Sequence, residues 1–178
     1  MIVTIGIDTG SGTAGIGVQG WKPGEKKAVF ARAYQCDPSS LADLLEWILT
    51  AELANPRELG APLTRVTAAG IEMFVQGRKG LKGTNPMVMR AQQADCATLL
   101  SRFGVPCAAR TASQVKLWGT DGRLARAGLA DVTNPAAMRH ARDGQRHGLF
   151  CAVHDCGLPD PLSRKPPVWP GQAAAVPR

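Results

Sequence analysis

IGIDTGSGTAGIGV, residues 5–18, decides the fold. Residues 2 to 8 alternate around Ile and Val, Thr9 to Gly12 read as a tight turn, and Ala14 to Val18 read as a returning strand, so a hairpin is the simplest account. Its first strand closes on Asp8. A second apolar run, Arg65 to Glu72, closes in the same way on Glu72. Short apolar runs of this kind are buried strands, which sets both carboxylates at strand ends beside a cleft.

A third segment, RHARDGQRHG at 139–148, contains His140 and Asp143 at helical spacing. Residues at i and i+3 share a helix face, so imidazole and carboxylate can enter the same space as the strand-end acids. Acids gathered like this repel unless cations neutralise them, and two or more divalent ions form the standard apparatus for in-line displacement at phosphorus. The residue types therefore predict a metal-dependent nuclease. Asp8 and Asp143 would bridge or flank the ions, Glu72 would hold the ion that activates water, and His140 would ligate or position the nucleophile. Carboxylate oxygens suit Mg²⁺ or Mn²⁺, and an imidazole ligand tilts the preference toward Mn²⁺. His147 lies on the same helical stripe and reads either as a donor that orients Asp143 or as a capping or packing residue.

Outward from these segments, a third strand fits Lys27 to Ala33, and Pro38-Ser39-Ser40 gives a turn and cap before the amphipathic helix LADLLEWILTAEL. Asn85-Pro86 caps a helix running through Arg102 and ended by Phe103-Gly104. Val105 to Ala109 is a short fifth strand, followed by helical segments at Ala112 to Trp118 and Asp121 to Ala127 and a last helix from Asn134-Pro135 to about Val153. This order predicts an α/β protein with a mixed five-stranded sheet flanked by helices. A domain over 1–156 would be followed by a tail, 157–178, whose six prolines in 22 residues predict an extended or disordered chain.

The 178 residues carry a formal charge of +7, which favours a polyanionic partner. The excess is concentrated in QGRKGLKGTNPMVMR, where Arg78, Lys79, Lys82 and Arg90 occur with no acid between Glu72 and Asp95. Mobile glycines let such a loop follow a phosphate backbone. Lys116, Arg123 and Arg126 extend the basic surface, Arg164 and Lys165 add to it in the tail, and Trp118 reads as buried. Five cysteines without a CxxC pattern fit reduced thiols in a cytoplasmic setting. The opening residues do not read as a signal peptide, and no run approaches the roughly 18 apolar residues of a membrane span.

Together GIDTGSGTAGIGV, GIEMF, HARDGQRHG and QVKLWGTDGRL resemble the RuvC-type Holliday junction resolvases, especially short phage-encoded members, within the RNase H-like superfamily. The resemblance covers Ile2 to Val153. It implies an RNase H-like fold and a homodimer acting on branched DNA, in which each subunit carries one Mg²⁺-dependent site with two ions and nicks opposed strands of a four-way junction. It matches Asp8, Glu72, His140 and Asp143 to the family's ligands, brings the basic segment into the junction with Phe74 as the aromatic that holds strands apart, and puts Lys116 on DNA. Two alternatives share these features: a YqgF-type nuclease acting on RNA, and a junction-binding module without catalysis. DTGS also resembles the aspartic protease turn, but the helices oppose a largely β scaffold. The duplicated fold of actin, Hsp70 and sugar kinases would need a second copy that the later sequence does not supply.

Overall fold

The computed structural model describes residues 1–52, 65–75, 85–133 and 136–164. Five strands, β1 (Ile2–Asp8), β2 (Ala14–Trp21), β3 (Ala28–Cys36), β4 (Ala68–Met73) and β5 (Cys107–Thr111), form one sheet in the order β3-β2-β1-β4-β5. The first three are antiparallel neighbours, whereas β4 runs parallel to β1 and β5 parallel to β4. Helices α1 (Leu41–Trp47), α2 (Pro86–Arg102), α3 (Ala112–Trp118), α4 (Asp121–Arg126) and α5 (Arg139–His154) complete the described elements, with short 3-10 turns between them. The predicted mixed α/β sheet and its hairpin are both present.

Strand alternation gives the sheet two different faces. Val3, Ile5 and Ile7 of β1, with Ile16, Val18 and Ile71, turn to one side and form the main core with Leu41, Leu45, Cys96, Leu99 and Leu100. The opposite side carries Gly6, Gly15, Gly17 and Gly70, and on these lies α5. A Cβ on Gly6 would stand 1.9 Å from the Gly144 carbonyl oxygen, and one on Gly15 would stand 2.1 Å from the His140 carbonyl carbon. Only hydrogen at these positions lets the helix backbone approach so closely. Gly6 pairs with Gly70 across β1 and β4, and Asp8 and Glu72 follow two residues later on the same face. The glycines that seat α5 therefore also aim both acids at its N-terminal turns. A second apolar group, Trp21, Leu124, Ala127, Leu129, Leu149, Ala152 and Leu158, fills the far end of the same layer.

Several boundaries move from the sequence reading. β3 runs on to Cys36, β4 begins at Ala68 and β5 extends to Thr111. The LADLLEWILTAEL helix is α-helical only to Trp47 and continues as a π turn over Ile48–Glu52. α5 begins at Arg139, and Asn134-Pro135 lie outside the described residues. Its first turn has no side-chain cap of its own. Gln35 of β3 substitutes, its Oε1 accepting from the His140 N–H at 3.1 Å and its Nε2 donating to the Ala137 carbonyl at 2.9 Å. By contrast α2 starts as predicted, with the Asn85 side chain accepting from the Met87 and Val88 N–H groups.

Beyond residue 156 the chain still packs on the sheet and helices. Leu158 is buried in the second core group, Asp160 pairs with Arg123 at 3.0 Å, and the Ser163 carbonyl accepts from Lys26. Proline blocks helix and central strand without blocking side-chain burial, so packing contacts continue as far as Ser163. The later part of the predicted tail, 165–178, is outside the described residues.

Candidate active site

Asp8 at the end of β1, Glu72 near the end of β4 and Asp143 with His140 on α5 meet at one end of the sheet and line an open cleft of about 930 Å³. All three carboxylates are buried: Asp8 is 1% exposed, Glu72 8% and Asp143 5%. At their centre lies the ammonium of Lys116, on α3. Its Nζ is 2.9 Å from Asp143 Oδ2, 3.2 Å from Glu72 Oε2 and 3.9 Å from Asp8 Oδ1. The sequence placed Lys116 on a DNA-contact surface; the structure places it among the acids. Burial alone would lower its pKa, but Asp8, Asp143 and Glu72 together raise it, so the cation stays charged.

The inner sides of the acids are held from α5. His140 Nδ1 lies 2.6 Å from Asp8 Oδ2, and Arg146 Nη1 donates to Asp143 Oδ1. Arg146 is itself fixed, its Nε donating to the Gly119 carbonyl at 2.8 Å and its Nη2 to Asp121 at 2.5 Å. His147 is fully buried and stands beside Glu72, with Nε2 3.4 Å from Oε2; it does not serve Asp143, for which Arg146 is the partner. Arg146 was absent from the predicted set, although its spacing of three residues from Asp143 on the same helix is a signal for such a pair. The strand end is fixed through its backbone, the Glu72 carbonyl accepting from Gln93 Nε2 at 2.7 Å.

Burial is the largest single influence on Asp8 and on Glu72, but the two shift in opposite directions. Asp8 is pushed up to about 7 by desolvation, with the neighbouring Glu72 adding to the rise and His140 and Lys116 opposing it. Desolvation would raise Glu72 too, yet His147, Asp8 and Lys116 bring it down to about 2. Two carboxylates so close cannot both ionise freely, which pushes Asp8 up while Glu72 is held down.

Among the described residues no three acid, histidine or cysteine side chains stand closed around a point as an ion would require, and the Lys116 ammonium fills the space between them. The donor set nonetheless fits divalent cations. Three carboxylates supply hard oxygens and His140 a nitrogen. An ammonium already occupies the focus as a stand-in charge. Glu72 Oε2 is buried without an aligned hydrogen bond, although two cationic or donor groups lie within ion-pair range of it.

Of the predicted nucleic-acid residues, Phe74 lines the cleft just beyond β4, on the Glu72 side as strand alternation requires. Arg90 is exposed on the first turns of α2. Arg123 is instead engaged within the protein, with Nη2 3.0 Å from Asp160 Oδ2, Nη1 donating to the Trp118 carbonyl at 2.7 Å, and its guanidinium over the Trp118 ring. Trp118 packs edge-on against Phe150 and His154 and is only partly exposed. Arg78, Lys79 and Lys82 lie outside the described residues.

With that geometry in view, comparison with solved structures is informative. The structure of Thermus thermophilus RuvC in complex with Holliday junction substrate superposes with a TM-score of 0.57 at 17% identity, covering 88% of this chain and 96% of that one. This chain has the RuvC fold. Thermus thermophilus RuvC in a second structure gives the same TM-score at 18% identity, with 90% and 100% of the two chains covered. No protein-family model matches the sequence, and no curated protein matches it either. The RuvC fold is thus recovered by three-dimensional comparison at an identity where sequence matching finds nothing. Among the described residues no helix is long and apolar enough to cross a membrane.

Proposed function

We propose that this chain is a metal-dependent endonuclease that resolves four-way and related branched DNA by nicking. The observation that supports it most strongly is the convergence of Asp8, Glu72 and Asp143 on one cation, the Lys116 ammonium, at the mouth of an open cleft. Phosphodiester hydrolysis needs such a concentration of negative charge to hold metal ions. The same residues in a chain of net charge +7 cannot serve merely to repel DNA.

Asp8, Glu72, Asp143 and His140 would hold two Mg²⁺ or Mn²⁺ ions. When bound, these ions supply Lewis acidity to the attacking and leaving oxygens of an in-line displacement. The chain's own contributions follow from what is already in place. His140 keeps its Nδ1 on Asp8, which leaves Nε2 facing outward as a ligand or proton acceptor. Arg146 fixes one oxygen of Asp143 so that the other faces the focus. Lys116, at the centre of the acids, would be placed to neutralise the phosphate once ions were held there. Phe74 and the basic segment that follows β4 would receive the DNA, with Arg90 and Lys116 as further contacts. The solved relative in complex with a Holliday junction supports a branched substrate, and a homodimer would present two such sites to opposed strands.

Asp8→Asn tests the division of roles. The substitution removes charge from the cation focus and leaves the basic surface intact, so junction binding by gel shift should stay within about threefold of wild type while cutting falls by at least about a thousandfold, in line with the loss of an essential charge-stabilising group. A folded Asp8→Asn protein that still cuts would contradict the assignment, as would one that no longer binds.

A further inference from the structure

Each of the three acids is served from two sides. From the cleft comes Lys116, which reaches all of them. From α5 come three separate groups: His140 on Asp8, Arg146 on Asp143, and His147 beside Glu72. The first two make hydrogen bonds. The third stops short, since Nε2 and Glu72 Oε2 are 3.4 Å apart and out of alignment, and both atoms are buried without a hydrogen bond.

Resting on the metal-nuclease reading above, we propose that His147 is the positioning residue for Glu72, its Nε2–H being the fixed donor that aims the carboxylate at the cation focus. A buried polar group without a partner costs free energy and calls for an explanation. His147 is 1% exposed, and neither ring nitrogen has an aligned partner. An apolar side chain of similar volume would occupy the site without that cost, so the imidazole needs a use. Glu72 is the polar group its Nε2 reaches.

The backbone holds it there. A Cβ on Gly6 would stand 2.8 Å from the His147 carbonyl carbon and one on Gly70 3.2 Å from its carbonyl oxygen, so this turn of α5 is pressed onto the two strands that end in the acids. A carboxylate only accepts, so an imidazole that serves Glu72 does so through an N–H at Nε2, the ring nitrogen that reaches it. A small ring rotation then makes the bond, consistent with hydrogen bonds at such sites tightening only when the site is filled. With ions bound, Lys116 could not also occupy the focus, whereas buried His147 would remain as the donor that orients Glu72.

Mn²⁺ titration calorimetry on the full chain tests this with two variants. His147→Leu keeps the volume and removes the donor; Mn²⁺ affinity should fall about ten- to hundredfold, the usual cost of removing a group that orients a metal ligand. His147→Gln restores an amide N–H near the Nε2 position and should bring affinity back to within about threefold of wild type. His147→Leu with wild-type affinity would overturn the proposal. So would a His147→Gln protein as weak as His147→Leu, since packing would then be the cause. Wild-type protein that binds no Mn²⁺ would overturn the metal reading itself, and this inference with it. Imidazole ¹⁵N spectra of the wild-type protein serve even if a variant fails to fold. Protonated Nε2 with a resonance that moves on adding Mg²⁺ is expected, and a bare Nε2 would overturn the proposal.

Discussion

Asp8 shows how far a single residue was readable and where reading stopped. Its position at the end of an alternating strand marked it as a cleft acid, and the same logic found Glu72, while the i, i+3 spacing found His140 and Asp143. What spacing could not reveal was the environment between elements: that Lys116 would sit among the acids, that Arg146 would hold Asp143, and that His147 would face Glu72 instead. That environment gives Asp8 opposed demands, which predict a pH dependence. Unfolded, its carboxyl loses a proton near 3.8; folded, it keeps it to about 7. Between these values the folded chain binds more protons, so Asp8's contribution to stability is full below 3.8 and is lost as pH rises through about 7. Glu72 runs the other way. Its depressed value contributes stability above 4.5 that is lost as pH falls toward about 2. Metal-free protein should therefore melt at a temperature that declines as pH rises from 4.5, where the Glu72 contribution is complete, to about 7, where that of Asp8 is lost, and Asp8→Asn should remove the decline. A wild-type melting temperature that rises across this window in chelator would contradict the account.

Among the elements, α5 does the most to build the site, and its docking was only half legible. On the helix, Gly144 and Gly148 leave room for close packing against the sheet. The strand glycines complete the explanation, since Gly6 and Gly70 lie two residues before Asp8 and Glu72 and mark where the helix crosses. The start of α5 was misread because Asn134-Pro135 is a sound local cap signal, whereas the actual first turn is capped from a distant strand by Gln35. Sequence-local signals cannot report a partner about a hundred residues away. If glycine is what seats the helix, Gly6→Ala should destabilise the protein by about 3 kcal/mol or more, because its Cβ would meet backbone atoms that have no rotamer to yield. Gly12→Ala, where nothing lies within 4 Å, should stay within about 0.5 kcal/mol of wild type. Urea denaturation of both variants checks this, and a Gly6→Ala protein as stable as Gly12→Ala would refute the close approach.

At the scale of the whole molecule, a net charge of +7 surrounds a pocket of three buried acids. On the proposed reading the two opposite fields would have complementary uses, the outer one drawing a polyanion and the inner one holding cations against it. The overall fold was legible because both strand runs, the hairpin and the Asn85 cap agreed with one another. It is shared with Thermus thermophilus RuvC at 17% identity. The most direct test is cleavage of a mobile synthetic four-way junction beside matched linear duplex, single strand and RNA–DNA hybrid, each with Mg²⁺, Mn²⁺ or chelator. The account predicts paired nicks on opposed junction strands that disappear with chelator. Preferential cutting of the hybrid, or tight junction binding without cutting under either metal, would contradict it.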